Sequence, residues 1–251
     1  IEDEKRVQKA TRVALHDPHL SNFRVFDNCG NSAQLIADQS VKEPPRLIDH
    51  YRSHEHLIGL CDDLCGYGLT VHTEPTLLNQ SSAILSDAFL CTPVSGTQQR
   101  TRGSWSNESE SLVVIDWILH LLAQGLSPSN LAVLTPYVGQ LDVLRSKMQQ
   151  HGLPILDQPH GYGSTTDHIP IGTVHRFQGG ERDIILYSSV VSETRSLHFQ
   201  NQRVNLLNVA VSRARQHFIT IGDIDILQQG LYTGHLVRRS KRVEREVLSG
   251  H

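Results

Sequence analysis

Two short segments gather the side chains that could manage phosphate charge. Thr173 to Asp183 reads T-V-H-R-F-Q-G-G-E-R-D, and Asn208 to Arg215 reads N-V-A-V-S-R-A-R. Transfer of a phosphoryl group to water spreads negative charge over the terminal phosphate oxygens, and guanidinium groups meet it with fixed, forked donors. Arg52, in H-Y-R-S-H at His50 to His54, and Arg213, in the second segment, are the candidates for that task. Four polar segments follow or flank apolar runs and are poor choices for a core: Tyr51-Arg52, Thr135-Pro136-Tyr137, Thr173-Val174-His175 and Gln178 to Glu181.

Such groups act together only if regular elements hold them. Leu47 to Asp49 reads as a short strand, and His56 to Leu64 carries apolar residues at helical spacing. Ser95 to Glu110 is rich in Ser, Thr, Gly, Gln and Arg and predicts a surface loop. It ends in a capping-box pattern, Asn107 with Glu110 three residues on, before an apolar run to Leu122 that Gly125 stops. Leu131 to Leu134 predicts a strand and Val138 to Met148 a helix closed by Gly152. Ile169 to Val174 and Ile184 to Val191 are β-branched runs, Leu206 to Ala214 predicts a helix that delivers Arg213, and Phe218 to Ile221 predicts a last strand. This alternation implies an α/β fold: a doubly wound parallel sheet with helices on both faces. In such sheets ligands collect beyond the carboxyl ends of the strands, which is where the four polar segments are expected.

Composition sets bounds. The hydrophobic share of 38% suffices for a real core. With 23 Lys and Arg against 26 Asp and Glu, the formal charge is −3, so nucleic-acid binding would have to rest on a local groove or a partner domain. Cysteines 29, 61, 65 and 91 form no C-x-x-C pair, which suits reduced core residues of a cytosolic or nuclear protein. His50, His54 and His56 lack an acidic or cysteine partner at closed-site spacing, so no metal ligand is assigned. No apolar run approaches the roughly 18–20 residues that span a bilayer, and the charged start I-E-D-E-K-R is no signal peptide. The chain begins at Ile1 without Met, and a longer parent is expected.

The motifs resemble the superfamily 1 helicases, specifically the C-terminal RecA-like motor domain of their 5′-to-3′, Upf-like branch. The resemblance covers about Arg46 to Asp223. H-Y-R-S-H is similar to motif IV, T-P-Y-V-G-Q at Thr135 to Gln140 to the nucleic-acid motif that follows it, T-V-H-R-F-Q-G-G-E to motif V and N-V-A-V-S-R-A-R to motif VI. The resemblance implies that Tyr51 stacks near adenine and that Arg52 and Arg213 reach the γ-phosphate across a cleft between domains. It further implies that Gln178, Gly179 and Glu181 couple nucleotide to strand, with Glu181 near the ribose or phosphates. Thr135, Tyr137, Thr173 and His175 would touch the backbone of single-stranded DNA or RNA without reading its sequence.

Departures shape what this chain can do alone. No G-x-x-x-x-G-K-[ST] occurs, and no acidic pair follows an apolar strand, so both Walker motifs are absent. ATP and Mg2+ would be held mainly by a first RecA-like domain in cis, and the isolated chain is expected to be inactive. Ser53 and Glu55 stand where the family often has Met and Pro. Three parts are expected: residues 1–44 as lead-in, 45–234 as the second RecA-like domain, and 235–251 as a charged tail, most simply a solvated helix face. The competing reading is a degenerate helicase-like module that binds nucleic acid or protein without turnover. An unrelated nucleotide-binding α/β enzyme is the weaker third, since no G-x-G-x-x-G follows a strand.

Overall fold

The computed structural model describes residues 47–73, 84–156, 167–177, 180–202 and 204–249. The chain divides at Leu47–Ile48, and all described residues but Leu47 belong to the second unit. The lead-in segment, its boundary at Pro44-Pro45, and Cys29 lie outside the described residues, as do Gln178 and Gly179.

Seven strands form one sheet in which every neighbouring pair runs parallel: β3 (Phe89–Pro93), β6 (Leu131–Thr135), β7 (Ile155–Leu156), β8 (Ile169–Thr173), β9 (Arg182–Ser188), β10 (Ala214–Gly222) and β11 (Lys241–Arg242). Their order is β11-β3-β10-β9-β6-β8-β7. Two small pairs stand apart, β1 (Asp49–His50) with β2 (Thr70–Val71), and the antiparallel hairpin of β4 (Gln99–Thr101) and β5 (Ser104–Ser106).

Both faces of the sheet are covered, and the period-2 alternation of the strands shows how. Leu131, Val133, Ile184 and Leu186 point to one side, against Val113, Val114, Trp117, Ile118 and Leu121 of α2 (Glu108–Ala123) and Leu141, Leu144 and Met148 of α3 (Val138–Gln150). Ala132, Leu134, Ile185 and Tyr187 point to the other, against Leu57, Ile58, Leu60 and Cys61 of α1 (Glu55–Cys65) and Leu206, Leu207, Ala210 and Val211 of α5 (Asn205–Val211). This is the doubly wound α/β architecture that the alternation of elements predicts, and it agrees with the RecA-like fold that the resemblance implies.

Local chemistry explains the helix ends. Gly66, Gly125 and Gly152 follow α1, α2 and α3 with φ of 64°, 86° and 65°, the left-handed stop that a side chain resists. Asn107 caps α2 by accepting the Glu110 N–H at 3.3 Å. Only half of the expected capping box forms, because Asn107 gives its own N–H to Gln140 at 2.7 Å and the Glu110 side chain turns into the core. Asn107→Ala is expected to cost about 1–2 kcal/mol through the lost cap. A urea melt of the chain checks this; an unshifted midpoint would contradict it.

Four expectations need correction. The loop at 95–110 holds the β4–β5 hairpin, turned by Arg102 and Gly103 with φ of 49° and 82°. Positive φ at both central residues matches the twist of an antiparallel pair, so a polar stretch can still form a ladder. The helix expected through Ala214 ends at Val211, and Arg213 sits in the turn before β10. The domain boundary placed at 234 falls inside α7 (Thr233–Arg239). Leu236 and Val237 there are buried, β11 adds an edge strand to β3, and Val243 and Leu248 join the core, so the apolar minority of a charged segment decides its packing.

Candidate functional site

The expected site residues fall at two opposite ends of the sheet, not at one. Ala214 pairs with Arg182 at the amino ends of β10 and β9, whereas Thr135 pairs with Thr173 at the carboxyl ends of β6 and β8. β9 has seven residues, so the two ends lie roughly 20 Å apart. Glu181 immediately precedes β9 and so does not mark a carboxyl end. The reason is that β9 starts at the end of the sheet opposite to the one where β8 stops.

At the amino end Glu181 is the centre. Its carboxylate accepts from Arg52 at 2.8 Å and from Arg215 Nε at 3.0 Å, with a second contact from Arg215 Nη2. Burial pushes this carboxyl up, but the hydrogen bonds from Arg215 and Arg52 outweigh burial and hold it below the usual range. Tyr51, Arg52, Glu181 and Arg215 line an open cavity of about 540 Å³. The Tyr51 ring stacks on His72 with centroids 4.6 Å apart and an interplanar angle of 12°, while the residue stays 71% exposed, which leaves ring surface for a second flat group. His72 in turn reaches Asp49 at 2.7 Å, across the β1–β2 pair.

Arg213 is held beside this cavity. It donates to Val209 O at 3.1 Å, to Gly180 O at 3.3 Å and to Ser212 Oγ at 3.2 Å. Gly180 is required there, because a Cβ would come within 2.9 Å of the Phe177 ring, itself fully buried. Arg215 was not singled out from the sequence, although it ends the N-V-A-V-S-R-A-R segment. Its signal was the alternation at the start of β10, where exposed Arg215 follows buried Ala214.

At the carboxyl end, β6 leads on through α3 toward β7 and β8, while β9 leads the other way to β10. The crevice between β6 and β9 is therefore the switch point where open α/β sheets bind ligands. Tyr137 sits there, mostly buried, its ring 5.3 Å from that of Phe199. Burial pushes its phenol up to about 12, against the opposing effect of a hydrogen bond with Gln200. His175 is exposed just past β8. Thr135 is fully buried and its hydroxyl accepts the Tyr137 N–H at 3.4 Å, so it fixes the turn and does not face solvent. Thr173 is 6% exposed, and its carbonyl anchors the next turn by accepting from Arg176 and Phe177 N–H groups.

Behind this crevice runs a buried polar network that sequence reasoning missed. Gln140 donates to Asn107 O at 3.1 Å and Ser188 Oγ at 2.9 Å, and Ser188 donates to Glu110 at 2.7 Å. Glu110 also accepts the Val190 N–H at 2.8 Å. Burial raises the Glu110 carboxyl to about 8 against the effect of these bonds. Among the described residues no group of three or more His, Cys, Asp or Glu could hold a metal ion. No helix among them is long and apolar enough to cross a membrane.

The fold defines the class, a doubly wound parallel α/β domain. Residues 33–225 match the family model described as an AAA domain. The chain belongs to that family, as the C-terminal RecA-like domain of a superfamily 1 helicase. It is similar to the DNA replication ATP-dependent helicase/nuclease dna2 of Schizosaccharomyces pombe, 27% identical over 71% of this chain and 12% of the relative. The Drosophila melanogaster regulator of nonsense transcripts 1 homolog is 32% identical over 58% of this chain and 12% of its own. The Homo sapiens RNA helicase Mov10l1 is 26% identical over 91% of this chain and 19% of its own. The chain thus spans less than a fifth of the length of these curated relatives.

Proposed function

We propose that this chain is the second motor domain of an ATP-dependent helicase or translocase acting on single-stranded DNA or RNA. The observation that carries the reading is where the two ends of residues 173–181 lie. They start at the carboxyl end of β8, beside the candidate strand contacts, and end at Glu181 between Arg52 and Arg215 at the opposite end. Between them Phe177 is fully buried, a packed point through which movement can pass between two sites that share no residue.

In this account a first RecA-like domain in cis supplies the phosphate cradle and most of the contacts to ATP and Mg2+. Tyr51 offers its open ring face to adenine. Water attacks the terminal phosphorus as the bond to the bridging oxygen breaks, and Arg52 and Arg213 neutralise the charge that develops. Arg52 is released from Glu181 to do so, and Gln178, Gly179 and Glu181 report the event toward the strand. Tyr137 and His175 touch the strand backbone, with Thr135 and Thr173 holding the turns that present them. Lacking a cradle in its 251 residues, the isolated chain does not hydrolyse ATP.

The relatives' names include both a DNA and an RNA helicase, and both sugars belong in the test. The longer protein is expected to hold a single strand with an affinity that differs about tenfold or more between ADP and a non-hydrolysable ATP analogue. Anisotropy titration with labelled oligonucleotides measures it. Equal affinity in both nucleotide states would contradict coupling between the two ends of the sheet.

A further inference from the structure

We propose that the β4–β5 hairpin is a second contact for single-stranded nucleic acid, continuing the path beyond Tyr137, with Arg100 and Arg102 as its phosphate ligands. This rests on the strand-binding reading of the carboxyl end. The hairpin belongs to that end by construction. A Cβ on Gly139, two residues after Tyr137, would meet Trp105 O at 2.9 Å, so the hairpin backbone lies directly on the first turn of α3.

Both of its bases are tied down. On one side Gln140 accepts the Asn107 N–H at 2.7 Å and donates to Asn107 O at 3.1 Å. On the other, Gln98 donates its N–H to Ser192 Oγ at 2.8 Å and accepts the Ser192 N–H at 3.2 Å, just past the carboxyl end of β9. Main-chain clamps of this kind fix the hairpin relative to the switch-point crevice and leave its tip free to meet a ligand.

The chemistry of the tip is single-signed. Residues 95–107 contain Arg100 and Arg102 and no Asp or Glu, in a chain whose formal charge is −3. Both arginines are exposed. Arg102 stands at the turn and has no ion pair among the described residues, a costless position only if its charge faces water or a phosphate. Arg100 lies with its guanidinium 6.0 Å from the Trp105 ring centroid. A guanidinium aligned by an indole is a flat cation that can bond a phosphate and stack a base. The nearest acids, Glu108 and Asp142, are already paired with Lys147 at 2.8 Å and Arg145 at 3.1 Å, so they do not cancel the hairpin's charge. Alternating cationic and aromatic groups beside a crevice that already presents Tyr137 and Phe199 suit an unpaired strand, whose bases are open for stacking.

The test is anisotropy titration of labelled oligothymidylate and oligouridylate with the 251-residue chain, across a series of salt concentrations. The comparison is the double variant Arg100→Gln, Arg102→Asn; asparagine tolerates the positive φ at the turn, and circular dichroism confirms the fold. Loss of two phosphate contacts is expected to weaken binding and to lower the slope of log affinity against log salt by about 1.4. Binding by the unaltered chain with the same affinity and slope in the variant overturns this inference alone. No binding by the unaltered chain at low salt overturns it together with the strand-binding reading beneath it.

Discussion

Alanine at Arg213 in the longer protein is expected to cut ATP turnover about a thousandfold or more, with strand binding and fold retained. The side chain is not idle in its present position, since it bonds Val209 O, Gly180 O and Ser212 Oγ. Those are part-buried bonds from a charged donor that stays partly solvated, so their loss lowers stability modestly. A thousandfold loss of turnover corresponds to about 4 kcal/mol in the barrier, far beyond what a slightly looser turn would produce. Steady-state kinetics beside a thermal melt separates the two. A large fall in kcat with a small shift in Tm supports the role; normal turnover removes Arg213 from the chemistry and leaves Arg52 and Arg215 as the cations at that end. Arg215 is the less suited, because Glu181 already takes two of its nitrogens.

The second large effect concerns Glu110. Its carboxyl is raised by burial from 4.5 to about 8, so the folded state holds a proton that the unfolded chain releases. Its contribution to stability is therefore full below about 4.5 and is lost as pH rises toward about 8. A shift of that size corresponds to at most about 5 kcal/mol. Glu110→Gln keeps the shape and the acceptor oxygen but cannot ionise, and it is expected to flatten this pH dependence. Glu110→Ala is different, because the Ser188 hydroxyl and the Val190 N–H lose their acceptor inside the core. Val190 sits at a φ of 71°, costly for a β-branched residue, and Glu110 is what holds its N–H there. The alanine variant is expected to lose about 3–5 kcal/mol. Urea melts at pH 5 and pH 8 check both variants. If Glu110→Gln shows the same pH dependence as the unaltered chain, the slope belongs to groups other than Glu110; His217, which burial holds below its usual value, gives a slope of the opposite sign and does not account for it.

Much of the architecture was legible in the residues, and the parts that were not share a cause. The strands read at Leu131 to Leu134 and Ile184 to Val191 declare themselves because a strand buried on both faces has an apolar centre, although β9 itself runs Arg182–Ser188. β3 was overlooked, although F-L-C-T-P between Asp87 and Val94 is such a run, shortened by Pro93. The hairpin escaped because a type of turn with two positive φ values was carried by Arg-Gly, where the stronger signal would have been Asn-Gly. Periodicity gave the helix before Arg213 but not its end, since Ala214 suits a helix as well as the buried start of β10.

For the site, the resemblance put Tyr51, Arg52 and Glu181 about a nucleotide; the structure lines one cavity with these three and Arg215. The expectation that every polar segment lies at a carboxyl end failed for Glu181, because β9 starts at the end of the sheet opposite to the one where β8 stops. Spacing likewise cannot tell a threonine that faces a ligand from one that fixes a turn, as Thr135 does at 0% exposure. Glu110 and Gln140 were legible only as a helix start and a motif end. Their joint role needed three dimensions, in which residues 33 and 78 positions apart meet around Ser188.

The most direct test of the split motor is ATP hydrolysis by the longer protein, with and without single-stranded DNA or RNA, run beside this isolated chain. Turnover stimulated by one of the strands in the longer protein, and absent from the isolated chain, is the predicted result. Hydrolysis by the isolated chain would contradict the need for a separate cradle, and inactivity of the longer protein with either strand would leave a module that binds without turning over.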